Sequence, residues 1–235
     1  MDESLMDMFE TINVTQGFFS EIPWVRSVAL KYMNLQGESP FRRSVFLETV
    51  RLIGNRLEEI PQDLLWGINN LRTLKIQYQN IKSLSPASFT KITSYLDKEI
   101  SLESVNLTTI EPGTFAKFDY LKTLSLAFNK LQVLTADMFK GLERLQILRL
   151  NSNQINMIQP ATFDGVINIH ELLLESNKLT SLPDGCFVKL DSLEVLNLDV
   201  DWTPFDIIGR ARSLFTETYW LKHIKPVLDE FRQLQ

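Results

Sequence analysis

An apolar pattern that repeats every 24 residues constrains this chain more than any other feature. Between residues 121 and 201 the same order of positions occurs three times and begins a fourth time. A fixed period of this length predicts a solenoid, in which each unit buries its apolar face only against its neighbours. The first of these copies consists of Leu121, Leu124, Leu126, Asn129, Leu131, Leu134, Phe139 and Leu142.

Each recurring position has a physical role. Leu124 and Leu126 alternate with residues that can face outward, which predicts a short strand with its leucines in the core. Asn129 follows the strand, and its amide can bond backbone groups of neighbouring coils that would otherwise be buried without a partner. Phe139 lies near the end of the unit, where it can fill the far side of the coil.

The written-out pattern LxxLxLxxNxLxxLxxxxFxxLxx resembles the 24-residue form of the leucine-rich repeat family, the form found in animal extracellular receptors and matrix proteins. The resemblance covers residues 47–201. It implies an α/β repeat solenoid shaped as a horseshoe, with a concave parallel β-sheet of about eight strands and an irregular convex side. Such proteins generally bind their ligands along the concave face.

We expect three parts: an N-terminal cap over residues 1–24, a solenoid over residues 25–201 and a helical C-terminal cap over residues 202–235. The helical prediction depends on apolar residues between 224 and 234 that recur at helical spacing. Six residues are expected to cover the last coil, namely Trp202, Phe205, Ile208, Leu214, Phe215 and Trp220. The units of the solenoid begin near residues 25, 47, 71, 97, 121, 145, 169 and 193.

Two neighbouring units depart from the repeat. Gln79 and Val105 occupy the position that asparagine holds elsewhere, and two extra residues precede Asp97. We therefore expect the sheet to be locally irregular in this region.

Cysteine content differs from that of secreted members of the family, which usually close both ends with disulfide-bonded caps. Cys186 is the single cysteine, so an intramolecular bridge cannot form, and we expect it to be a small buried residue. Two sequons, at Asn13 and Asn106, would permit glycosylation in a secretory compartment. The first residues have neither a basic nor an apolar leader segment, so we expect no signal peptide in this sequence.

Several classes of function are disfavoured. The net charge of −5 argues against general binding of nucleic acid, which needs a clustered basic surface. No apolar run is long enough for a membrane span. The histidines His170 and His223 lie far apart in the sequence, and no catalytic, phosphate-binding or metal-ligand motif occurs. We expect no enzymatic activity, no cofactor and no metal.

The outward positions of the strands are the expected binding surface. Three aromatic residues share one position of the unit and should form a column, and aromatic side chains often anchor protein interfaces. The alternative is that a solvated sheet simply carries mixed polar and aromatic residues. The predicted protein-binding residues are Tyr32, Arg51, Lys75, Tyr78, Phe128, Arg149 and Glu175.

The leading hypothesis is a non-catalytic recognition module, extracellular or at the cell surface, that binds a protein or peptide on its concave face. The alternative is a cytosolic scaffold that joins two protein partners, since the cysteine caps are missing and the C-terminal apolar stripe could bind a second chain. Pairing of that stripe with another copy would give a homodimer.

Overall fold

The computed structural model describes residues 24–35, 41, 44–60, 63–92, 96–198, 213–216 and 219. The predicted N-terminal cap lies outside these residues except for Trp24, and so does most of the predicted C-terminal cap. Asn13 and the apolar stripe between residues 224 and 234 also lie outside them. The division into caps and solenoid stays a prediction.

Successive coils of the solenoid each contribute one strand to a parallel sheet. In chain order the strands are β1 (Ser27–Lys31), β2 (Thr49–Ile53), β3 (Thr73–Gln77), β4 (Ser83–Leu84), β5 (Glu99–Ser101), β6 (Thr109–Ile110), β7 (Thr123–Ser125), β8 (Val133–Leu134), β9 (Ile147–Arg149), β10 (Met157–Ile158), β11 (Glu171–Leu173) and β12 (Val195–Asn197). A 3₁₀ helix spans Pro86–Phe89.

Eight of these strands form the main sheet in the order β1-β2-β3-β5-β7-β9-β11-β12. Two small parallel pairs, β4 with β6 and β8 with β10, lie outside it. Aliphatic residues at alternate strand positions are buried, as Val50 and Leu52 of β2 show, while Arg51 between them is exposed. The predicted horseshoe with an eight-stranded parallel sheet is confirmed.

A ladder of side-chain amides joins the coils just beyond the main sheet. Asn129 is buried; its Oδ1 accepts from the backbone N–H groups of Val105 and Leu107, at 3.0 Å each. Its Nδ2 donates to three backbone carbonyls, at 2.7 to 3.2 Å. Asn153 and Asn177 repeat this arrangement one and two coils later. The amides therefore satisfy backbone groups that each coil buries where the chain turns inward.

The irregular units affect the ladder more than the sheet. Gln79 replaces asparagine effectively, because its Oε1 accepts from Leu57 N–H at 2.9 Å and its Nε2 donates to the Gln77 carbonyl at 3.0 Å. Val105 is buried without an amide, and no described side chain accepts from the Ile81 N–H. The main sheet nevertheless continues through this region, with β3 and β5 paired over three residues in a register that absorbs the two extra residues.

A column of phenylalanine rings fills the far side of the coils. The ring centroids of Phe139 and Phe163 are 6.2 Å apart, and those of Phe163 and Phe187 are 5.6 Å apart. Phe215 extends the column, 5.3 Å from Phe187, and Tyr219 stacks on it at 4.7 Å.

The predicted cover of the last coil is thus seen at two of its six residues. The N–H of Phe187 donates to the carbonyl of Leu214 at 3.1 Å, and Leu214 and Phe215 are both buried. The other four, Trp202, Phe205, Ile208 and Trp220, lie outside the described residues.

Replacing Asn129 tests the contribution of the ladder. We expect Asn129→Val to lower the free energy of unfolding by more than about 2 kcal/mol, because each buried polar group left unsatisfied costs about 1–3 kcal/mol. Urea denaturation followed by circular dichroism measures the difference.

Asn168→Val is the matched control, since Asn168 makes one side-chain bond to the Glu143 carbonyl at the surface. The Asn168→Val variant should lose about 1 kcal/mol or less of its free energy of unfolding. Equal losses in the two variants would contradict a special role for the ladder.

Candidate binding site on the concave face

The concave face consists of the outward side chains of the main sheet, and several of its charges are paired. Lys75 Nζ lies 2.6 Å from Glu99 Oε2, and Arg149 Nη2 lies 3.8 Å from Glu171 Oε1. Arg51 is exposed and makes no ion pair with a described residue. The predicted site residues Lys75 and Arg149 are therefore partly engaged within the protein.

In each of seven coils, one residue just beyond the main-sheet strand adopts the left-handed backbone conformation. Its N–H donates to the next coil, as in the bonds from Tyr78 to the Glu103 carbonyl (3.3 Å) and from Phe128 to the Asn151 carbonyl (3.1 Å). The backbone thereby fixes one side chain per coil in a single column. The column, with φ between 55° and 64°, contains Tyr32, Gly54, Tyr78, Ser104, Phe128, Ser152 and Ser176.

Two of the three predicted aromatics project from this column into solvent. Tyr78 is 65% exposed and Phe128 is 57% exposed. Tyr32 is instead partly buried, because its ring covers Gly54, where an added Cβ would lie 2.6 Å from two ring carbons. Tyr32 is therefore less exposed than its position in the unit predicts, because residue 54 has no side chain, and its role in binding stays a prediction.

Glu103 lies at the centre of the face, between the coils that carry Tyr78 and Phe128. Its Oε2 accepts from Gln77 Nε2 at 3.0 Å, and its Oε1 accepts from Ser125 Oγ at 2.6 Å. Ser125 and Ala127 beside it are buried although they occupy outward positions, so the floor here is made of small side chains. The sequence prediction omitted Glu103 from the site.

Glu175 lies on the concave face near the C-terminal end of the main sheet. It is partly buried, and its Oε2 is an enclosed acceptor with no hydrogen-bond donor among the described residues. The same holds for Oδ1 of Asn151, at the equivalent position one coil earlier. The Glu175 carboxylate also has no salt-bridge partner among the described residues.

A second surface lies at the edge of the sheet where the strands begin. A groove of about 570 Å³ is lined by the aromatic residues Phe46 and Tyr120 together with charged and amide side chains. Arg72 donates to both carboxylate oxygens of Asp97, at 2.8 and 2.6 Å, and this contact lowers the pKa of Asp97 below its ordinary value. The groove adjoins the concave face through the coil that carries Lys75 and Tyr78.

The remaining candidate residues have structural environments. Cys186 is buried, and desolvation raises the pKa of its thiol to about 12, which fits the predicted inert residue. His170 is partly exposed, and its Nδ1 lies 2.9 Å from the Asn168 carbonyl. Asn106, in the second sequon, donates through Nδ2 to the Gln79 carbonyl at 3.2 Å.

No group of three or more His, Cys, Asp or Glu side chains among the described residues could hold a metal ion. The same residues include no helix that is both long enough and apolar enough to cross a membrane.

Asparagine substitutions test whether the two exposed rings contribute to stability. Left-handed backbone conformation costs most residues about 1–2 kcal/mol, and asparagine tolerates it better than tyrosine or phenylalanine. We expect Tyr78→Asn and Phe128→Asn to unfold at the same urea concentration as the parent or a higher one. Tyr32→Asn, which removes a ring that packs on Gly54, should unfold at a lower one. A clear loss of stability in the first two variants would show that their rings pack on the protein.

Comparisons with known proteins agree with this geometry. The family model described as "Leucine rich repeat" matches residues 98–155 and 143–200. Podocan-like protein 1 of Mus musculus is 28% identical over 109 residues, which are 46% of this chain and 19% of the relative. Leucine-rich repeat-containing G-protein coupled receptor 5 of Rattus norvegicus is 29% identical over 128 residues, which are 54% of this chain and 14% of the relative. The matched stretch is thus less than a fifth of either relative.

Two solved structures are similar in fold. The crystal structure of the TLR13-ssRNA13 complex superposes with a TM-score of 0.74 and 23% identity, covering 82% of this chain and 27% of that one. The octameric complex of Latrophilin 3, Unc5D and FLRT2 (LRR) gives a TM-score of 0.58 and 26% identity. The match covers 72% of this chain and 55% of that one. The first of these likenesses concerns the fold alone. Together with the repeated sequence pattern and the eight-stranded horseshoe, these matches show that the chain is a leucine-rich repeat protein.

Proposed function

We propose that the chain is a non-catalytic recognition module that binds a protein or peptide ligand on its concave face. The observation that carries the proposal is the pair of exposed rings, Tyr78 and Phe128, held two coils apart in the left-handed column. Aromatic side chains are enriched among the residues that dominate binding energy at protein interfaces.

The backbone conformation strengthens this interpretation. Glycine at residue 54 occupies the same column at little steric cost, whereas a residue with a Cβ pays for this conformation. The backbone of Tyr78 and Phe128 is strained in this conformation. Because both rings are exposed, burial of apolar surface does not offset that strain. Strained residues that persist in a structure are often tied to function, and ligand binding is a function that would bury these rings.

The size of the face limits the ligand. Eight coils at about 4.8 Å spacing, each offering about five residues of strand and adjoining turn at 3.3 Å, present roughly 600 Å². A standard interface buries about 800 Å² on each partner. We therefore infer that the ligand is small or also contacts the sheet edge, where Phe46 and Tyr120 line the groove.

The relatives support a receptor or matrix role, outside the cell or at its surface. One relative is named as a G-protein coupled receptor, and one structural neighbour is a leucine-rich repeat protein in a complex with two other proteins. The other neighbour is a complex with single-stranded RNA. For this chain we propose a protein ligand, because Lys75 and Arg149 of the concave face are paired with carboxylates.

A cytosolic scaffold is the alternative, and the chain's lone buried thiol is compatible with it because that thiol does not depend on an oxidising compartment. The two roles predict different ligands. A tagged form of the chain can be screened against displayed extracellular proteins and, separately, against cytosolic ones. Specific capture only of a cytosolic protein would overturn the extracellular proposal.

The double variant Tyr78→Asn/Phe128→Asn tests the concave site on whichever protein ligand the screen identifies. We expect its affinity to fall at least tenfold, because losing one interface hot spot typically costs about 2 kcal/mol or more. Biolayer interferometry with purified ligand gives the dissociation constants.

The double variant Val133→Gln/Met157→Gln is the matched control, since both residues are exposed on strands outside the main sheet and glutamine creates no sequon. Its affinity should equal that of the parent. Unchanged binding by the Tyr78/Phe128 variant, with loss in the control, would place the ligand on the surface that carries β8 and β10.

A further inference from the structure

We propose that the centre of the concave face recognises an arginine side chain of the protein ligand, held by the Glu103 carboxylate between the rings of Tyr78 and Phe128. This inference rests on the proposed function and names the chemistry of the ligand at that site. Its occupant is a protein segment that presents at least one exposed arginine.

The arrangement of the three coils places these groups together. Tyr78 donates its N–H to the Glu103 carbonyl, and Ser104 donates to the Ala127 carbonyl, both at 3.3 Å. Tyr78 and Phe128 occupy the same position of coils that are separated by one intervening coil, where the equivalent residue is the small Ser104. At the usual strand spacing the two positions are about 9.6 Å apart. A planar group in van der Waals contact at about 3.5–4.0 Å on each side occupies about 7–8 Å of this spacing, so the rings enclose it once they lean about 2 Å toward each other.

The Glu103 carboxylate is fixed in place but lacks a cation. Gln77 and Ser125, from the coils on either side, each donate one hydrogen bond to a different carboxylate oxygen. Ionised carboxylates offer about four acceptor positions, so each oxygen can still accept a second bond. No described residue forms an ion pair with Glu103, while the nearby cations Lys75 and Arg149 are paired with Glu99 and Glu171.

The chemistry favours a guanidinium over an ammonium group. A guanidinium is planar, stacks on aromatic faces and can donate two parallel bonds to one carboxylate. Those properties match two flanking rings and a preoriented carboxylate. A lysine ammonium would satisfy the charge but neither stack as a plane nor donate in parallel.

The test uses small probes, so it does not depend on the identity of the ligand. Acetyl-arginine methylamide, its lysine counterpart and its uncharged citrulline counterpart are titrated into the isotopically labelled chain, and backbone amide shifts are followed by NMR. We expect the arginine probe to shift the amides of Glu103, Ser104 and Phe128 saturably. The citrulline probe should bind at least about tenfold more weakly, because its uncharged ureido group still donates to the carboxylate but forms weaker hydrogen bonds and lacks the attraction between opposite charges.

Glu103→Gln should weaken arginine binding by about the same factor. Glu111→Gln, on an exposed residue that does not belong to the main sheet, is the matched control and should leave it unchanged. Equal binding of arginine and citrulline, equal binding of arginine and lysine, or full binding to the Glu103 variant would overturn the assignment.

Failure of this inference can be told apart from failure of the proposed function. If the probes do not bind but the Tyr78/Phe128 variant still loses the protein ligand, only the arginine assignment falls. If that variant keeps the ligand, the concave-face function itself is wrong, whatever the probes show.

Discussion

The ladder of buried amides is the interaction on which the rest of this structure depends. A solenoid turns inward once per coil, and each turn removes backbone N–H and carbonyl groups from water where no strand can pair them. Asn129 alone satisfies five such groups, two N–H donors and three carbonyls. Because each amide bonds to its own coil and to the one before it, the ladder sets the spacing at which leucine and phenylalanine side chains then pack.

The same turn determines what the outer surface can display. The residue before each ladder position is held in the left-handed conformation, and its side chain points away from the core. Tyr78 and Phe128 are exposed for this reason, and Ser104 leaves a gap between them. A structural constraint at the turn thus creates a column of outward side chains in which a ligand site can form, and Glu103 adds a fixed carboxylate to it.

Sequence periodicity was sufficient to predict the horseshoe, its eight strands and the buried positions, because these depend on spacing within one repeat. Contacts between repeats were harder to predict. The partial burial of Tyr32 depends on the glycine at residue 54, one coil away. Glu103 was overlooked because its two donors lie 26 and 22 residues away, in coils whose register depends on how the two extra residues are absorbed. Gln79 shows the opposite case, since a longer side chain preserved a ladder position that the sequence suggested was lost.

Native-state hydrogen exchange tests the role of the ladder most directly, because it reports the opening of single backbone amides. The N–H groups of Leu107, Leu131 and Ile155 donate to ladder side chains, while the equivalent N–H of Ile81 has no such acceptor among the described residues. If the ladder holds the coils together, the first three amides should exchange only through large-scale unfolding, and Ile81 should exchange much faster. Equal protection at all four amides would contradict the account.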